Sequence, residues 1–422
     1  MRNRFFVMLT VVSLLGPAAG MAATPAKQYC DFALGQCDKV EKKVPEFTRV
    51  AEVVAQRHLR GGAIGFVVIN SVSLCEDLTG RAGGMVCMGF DRVWKQDRTE
   101  AEKSNDVALA SWHKPPGPTE LTQLQALKTK GLYVVGFGPR TMPELAEHVK
   151  LCDAFFDTGT GADDRVVKLP DGTRAGRSIH MINALNGWVF IAELVSALTR
   201  QGKMPAMYKS YSFADGVEWG NRYYHKKQFH DDYSIAPIAA GDLGRAYLGA
   251  IRELIGKIRA TQMPAMEQAA ELLYNEVKDG KKALVLPMGH MPYTYVGAFE
   301  DARWAEAMDF ETVGQEAALL AAKPEGRLAL RLGYFGEAPD LKAILERQKM
   351  RLIYVSSDNP REGRKIPEER MLNIDTGMEF GDACVSIKDY PIKLFAPSGI
   401  IQIVVYEAIN TEILTRLTKK RN

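Results

Sequence analysis

One stretch of this 422-residue chain occurs twice, and the repeat restricts the possible folds more than any other feature. Residues 106–136 and 327–357 each read as strand, loop, helix, strand. An apolar run rich in Ala, Val and Leu precedes Gly117 in the first copy and Gly336 in the second. Pro118-Thr119-Glu120-Leu121 and Ala338-Pro339-Asp340-Leu341 then open a helix. Pro is tolerated there because the first N–H groups of a helix have no partner within it, and an acidic side chain suits the positive end of the helix. Leu121, Leu124 and Leu127 share one helical face, as do Leu341, Ile344 and Leu345. Two apolar strands joined by such a helix form a βαβ unit, and its right-handed crossover sets the strands parallel. In open sheets of this kind ligands bind at the loops beyond the strands' carboxyl ends.

The two halves agree beyond this unit. Residues 63–69 and 283–286 are apolar strands. Residues 179–200 are apolar on most faces, which predicts a helix either at the centre of the fold or in a subunit interface, and the helix over 398–417 parallels it. Cys152-Asp153-Ala154-Phe155 is set against Asp382-Ala383-Cys384-Val385. Residues 24–43 read as a polar lead-in, residues 157–177 as a loop, and residues 210–233 as an aromatic, charged connection. The domains expected are residues 45–210 and 261–422, with residues 211–260 linking them.

Residues 1–22 read as a cleavable signal peptide: Arg2 and Arg4, then an apolar run too short for a bilayer, then small residues. The expected location is periplasmic or secreted. This segment holds Arg2 and Arg4 and no acidic residue, so its loss lowers the formal net charge from +3 to +1. Such a balance does not favour nucleic acid or an anionic membrane as partner. No spacing of the six cysteines suggests zinc; Cys30 and Cys37 lie near enough in sequence to pair if the protein is exported. No metal and no cofactor is expected.

Two α/β halves, each closed by a long apolar helix, resemble the SIS (sugar isomerase) family. Residues 66–69, the loop 70–73 and Gly80-Arg81-Ala82-Gly83-Gly84 look like a first strand, ligand loop and following segment of that family. Ser111, Gly117, Thr119 and Glu120 look like its phosphate-holding loop, although this version is longer and poorer in hydroxyls. The resemblance implies two flavodoxin-like three-layer domains with parallel sheets, related by internal duplication, and a sugar or sugar phosphate as ligand. It also implies a homodimer, to which the apolar helices add a hint.

Candidate binding residues are Asn70, Ser71 and Ser73 after the first strand and Ser111, His113 and Thr119 after the third. Each has a plainer reading as a turn, cap or solvated loop residue. Glu193, a carboxylate in an apolar helix whose partner helix carries Glu407, could move a proton between C1 and C2 of a sugar, or form a structural ion pair or an exposed face. His290 could assist ring opening or sit in a turn. His225, His230, Asp231 and Asp232 have metal-ligand types without a metal spacing, and Thr158-Gly159-Thr160-Gly161 only partly matches a nucleotide loop. The expected function is binding of a carbohydrate derivative, with isomerisation or non-catalytic binding as the alternatives.

Overall fold

The computed structural model describes residues 23–67, 73–90, 99–161, 163–288, 302–308, 316–333, 339–357 and 372–419. The first half opens with helices α1 (Pro25–Glu41) and α2 (Val44–Leu59). Five strands follow: β1 (Ile64–Phe66), β2 (Met88–Phe90), β3 (Val107–Ser111), β4 (Tyr133–Gly138) and β5 (Ala154–Asp157). They lie in one parallel sheet in the order β2-β1-β3-β4-β5. Between them run α3 (Ser73–Leu78), α4 (Glu100–Lys103), α5 (Glu120–Thr129) and α6 (Ala146–Leu151). A hairpin of β6 (Arg165–Lys168) and β7 (Arg174–Arg177) leads into α7 (Ile179–Arg200).

After α8 (Gly216–Tyr223) the plan repeats. Helices α9 (Asp242–Thr261) and α10 (Met263–Val277) precede β8 (Ala283–Pro287), β9 (Ala305–Ala307), α11 (Glu316–Ala321), β10 (Leu328–Leu332), α12 (Pro339–Arg347), β11 (Arg351–Ser356), β12 (Leu372–Asp375) and α13 (Ser398–Lys419). The second sheet runs β9-β8-β10-β11-β12, all parallel. Strand for strand this is the order of the first sheet. The predicted duplication is therefore a property of the fold.

Alternation along the strands makes each half a three-layer sandwich. Val107 and Leu109 face the core shared with α2 and α7, while Ala108 and Ala110 face Leu124 and Leu127 of α5 and Leu145. Likewise Leu328 and Leu330 face the shared core, and Ala329 faces Ile344 and Leu345 of α12. Two of the three residues read from the spacing thus cover the sheet in each βαβ helix, while Leu121 is half-buried outside the cluster and the side chain of Leu341 lies outside the described ones. The shared core is continuous from one half to the other.

Several expectations change. Residues 24–43 are no lead-in: Thr24 caps α1 by accepting from the Lys27 N–H, and Pro25 takes the first position. The helix sets Cys30 and Cys37 two turns apart, about 10 Å along its axis, so they remain free buried thiols. Residues 157–177 contain the β6–β7 hairpin. The counterpart of β5 is β12, not residues 382–385; Asp157-Thr158-Gly159 and Asp375-Thr376-Gly377 end the two strands alike, each aspartate accepting from the glycine N–H two residues on (2.9 and 2.8 Å). Asp382 instead matches Asp164. Asp164 accepts from the backbone N–H of Ser178 at 3.1 Å, and Asp382 from that of Ser398 at 3.2 Å.

Helix α7 is long and apolar enough to cross a membrane, yet it is wholly buried among α2, α3, α9 and the first sheet. It takes the central place that its sequence allowed. Its apolar faces are covered within the chain, as are most of those of α13, so they supply no argument for a dimer.

Candidate functional site

The carboxyl edge of the first sheet is built by β3, which pairs on both sides and is fully buried. Ser111 ends it, 3% exposed. Trp112 continues the ladder, its N–H donating to the Phe137 carbonyl at 2.8 Å. The Trp112 carbonyl accepts from Nδ2 of Asn183 at 3.1 Å, which pins the start of α7 to this edge. The second half repeats the bond, Gln402 Nε2 donating to the Gly333 carbonyl at 3.1 Å. Asn183 Oδ1 and both polar atoms of Asn186, one turn on, are buried and have no partner among the described residues. Orphaned buried polar atoms are costly unless water or a ligand satisfies them.

His113 leaves β3 and packs on His180 of α7, ring centroids 4.6 Å apart. Burial, then Lys114 and Arg177, push His113 down to about 4. Burial, then His113 and Arg177, hold His180 well below the usual imidazole range. Both rings are neutral at pH 7, so the imidazoles themselves offer hydrogen bonds here without adding positive charge.

Thr119 stands at the N-cap of α5 but its side chain makes no capping bond. Glu120, the first residue of the helix, turns its carboxylate back to the loop, Oε1 accepting from the Gly117 N–H at 2.9 Å. A phosphate at that helix end would meet a negative charge already in place. Ser73 opens α3. Asn70, Ser71 and His290 lie outside the described residues.

Glu193 lies ten residues beyond Asn183 on α7, about 15 Å further along the helix. Its carboxylate is buried and accepts three hydrogen bonds, from the N–H groups of Gly241 (2.8 Å) and Gly244 (3.0 Å) and from Thr48 Oγ1 (2.5 Å). It thus closes the amino end of α9, a neighbour in space and not in sequence. Its counterpart in the second half is Glu412, whose Oε1 accepts from the Ala26 N–H at the start of α1, 3.1 Å away. Glu407 instead accepts from Asn410. The structure gives Glu193 a role in joining the halves and does not bring it to Ser111.

A buried polar seam links the halves. Asp77 accepts from Trp188 Nε1 at 2.7 Å, and burial, opposed by Arg81 and Trp188, pushes its carboxyl up to about 6. Arg81 donates to Asp382 at 2.9 Å and also to Ser398, which opens α13. Gly83 adds the backbone junction: its N–H donates to the Tyr208 carbonyl (2.7 Å) and its carbonyl accepts from the Phe395 N–H (3.0 Å).

Solved structures share this fold over most of the chain. A Clostridium difficile 630 protein named "putative phosphosugar isomerase" superposes with a TM-score of 0.54 at 9% identity, over 95% of this chain and 94% of its own. A Salmonella typhimurium LT2 protein named "putative sugar binding protein" gives a TM-score of 0.50 at 10% identity, over 92% of this chain and 98% of its own. The fold is the tandem SIS fold. No family model matches the sequence, and no curated protein matches it. Within this SIS fold, Asn183, His180, Arg81 and Asp382 escaped sequence reasoning. One signal was present for Asp382: each apolar helix is preceded by a serine with an aspartate some 14 or 16 residues upstream.

Proposed function

We propose that this chain binds a sugar or sugar-phosphate derivative at the carboxyl edge of its first sheet. The observation that carries the reading is the set of neutral polar side chains Ser111, His113, His180 and Asn183, with a buried Asn183 oxygen lacking a partner among the described residues. Hydroxyl, imidazole and amide groups at a parallel sheet's carboxyl edge suit a polyhydroxylated ligand. The overall SIS fold supports the same class. Non-catalytic binding is favoured, because Glu193 is committed to the end of α9. Aldose–ketose or aminosugar isomerisation is the second reading; what favours it is Glu120, a buried carboxylate that opens α5 at the far end of the loop leaving Ser111. The protein acts after export to the periplasm or beyond, and as a homodimer.

A thermal-shift screen of the mature protein against sugars, aminosugars and their phosphates tests the binding. At least one is expected to raise the melting temperature, and Ser111→Ala is expected to remove the rise. No rise with any of them contradicts the reading. Proton NMR in deuterated water separates the two alternatives, because isomerisation exchanges the C1 or C2 hydrogen with solvent and binding leaves it in place. N-terminal sequencing of the protein from the periplasmic fraction checks export, and light scattering checks the dimer.

A further inference from the structure

A cleft of about 530 Å³ lies far from the loop at Ser111 in sequence, between the Gly80–Ala82 turn, the 208–212 segment, the end of α8 and Asp382. It adjoins a second hollow of about 210 Å³ that shares Ala82, Tyr208, Lys209 and Ser210 and reaches Glu379 and Lys393. We infer that this inter-half cleft is a binding site for a neutral saccharide, separate from the sheet edge.

Its aromatic lining is held firmly. Tyr208 and Tyr224 pack with ring centroids 4.6 Å apart, and Tyr211 meets Tyr224 edge-on at 5.6 Å. The Tyr224 hydroxyl donates to the Lys209 carbonyl (2.5 Å) and accepts from the Lys209 N–H (2.6 Å), so it fixes this segment. Helix α8 carries Gly216 and Gly220 one turn apart beneath Tyr211. A Cβ on Gly216 would come within 2.4 Å of the Ser210 carbonyl oxygen, and one on Gly220 within 3.0 Å of the Tyr211 ring. The two bare positions let the segment lie directly on the helix. Yet Tyr211 is 63% exposed. A tyrosine held in place with an open face is a platform for the apolar face of a pyranose ring.

The polar lining is matched in charge. Arg81 pairs with Asp382, Lys209 with Asp215, and Lys393 with Glu379. Lys209 also lies over the Phe213 and Trp219 rings. With each of these cations matched by a carboxylate, the cleft suits a ligand without net charge, and the Ser210 and Ser212 hydroxyls and the His225 imidazole suit a ligand of many hydroxyls. Backbone strain gathers here too. Among the described residues six non-glycine residues have positive φ, and two of them, His225 (60°) and Asp382 (52°), line this cleft. Strain of that kind collects at ligand sites.

Saturation-transfer NMR of the full mature protein with glucose, N-acetylglucosamine and glucose 6-phosphate tests the inference. One of the neutral sugars is expected to receive saturation from the wild type. Tyr211→Ala is expected to weaken binding about tenfold, and Tyr211→Phe to keep it. In a Ser111→Ala background, which silences the sheet edge, a neutral-sugar signal is expected to remain and to fall when Tyr211→Ala is added. Tyr211 is exposed, so its variants are expected to melt with the wild type, which the same samples show by circular dichroism. Three results overturn the inference: loss of the neutral-sugar signal in Ser111→Ala but not in Tyr211→Ala, tighter binding of the phosphate that both Tyr211→Ala and added salt weaken, or no transfer to either neutral sugar. The first of these leaves the sheet-edge reading standing.

Discussion

Single residues in this protein illustrate how burial and partners decide a role. A carboxylate in an apolar helix is a reasonable candidate for proton transfer until its partners are seen. Glu193 has three donors, two of them at the open end of another helix. Glu193→Ala would strand those buried groups, and a loss of about 2–4 kcal/mol is expected in urea unfolding, with Glu193→Gln costing less. Asp77 and His113 titrate in overlapping windows with opposite sign. The Asp77 carboxyl is raised from 3.8 to about 6, so the folded state binds its proton more tightly and stability falls as pH rises from about 4 to 6. The His113 imidazole is lowered from 6.5 to about 4, so stability rises over nearly the same interval as pH increases, and His180 adds to that rise. Unfolding free energies of Asp77→Asn measured from pH 4 to 7 are expected to lack the falling component, worth on the order of 3 kcal/mol, and so to rise more steeply than the wild type. Identical pH profiles for the two proteins would show that Asp77 does not titrate in the folded state as described.

At the scale of elements, the βαβ units were legible because their signals are local: a period of two in the strands, three to four in the helix, and punctuation by Gly and Pro. Leu124, Leu127, Ile344 and Leu345 are buried as their spacing requires. Helix α1 was missed because residues 24–43 are polar on the side turned to solvent, and the buried stripe of Tyr29, Cys30, Ala33 and Cys37 holds few strong hydrophobes. The β6–β7 hairpin was missed for a related reason. Its strands are short and rich in charge, and an edge position does not need alternation to be stable. Gly83 shows what local reading cannot supply. It has φ of +74°, and a Cβ there would approach the Phe395 backbone nitrogen to 2.3 Å. Gly83→Ala is therefore expected to cost about 3 kcal/mol or more, seen as a lower urea midpoint. A variant as stable as the wild type would mean that the halves are not locked at this point.

Across the whole molecule, the two halves exchange their opening helices. Helix α1 packs on α13 of the second half, α9 packs on α7 of the first, and α1 and α9 pack on each other. Glu193 and Glu412 close the exchanged ends. The core is continuous across the exchange, so the halves are expected to unfold in one cooperative transition despite their separate sheets. Two resolved transitions in calorimetry would contradict this. The duplication itself was readable from the order of elements, and the ligand edge followed from it. The site was only partly readable. Ser111 and His113 stand where the repeat placed them, but His180 and Asn183 arrive from a helix some 70 residues later, and only the packing of α7 shows it. The most direct test of the account is a crystal of the mature protein soaked with glucose, glucosamine and glucose 6-phosphate in separate experiments. The account expects density for one of them against Ser111, His113 and Asn183 at the carboxyl edge of the first sheet; an edge left filled by water alone in all three soaks would contradict it.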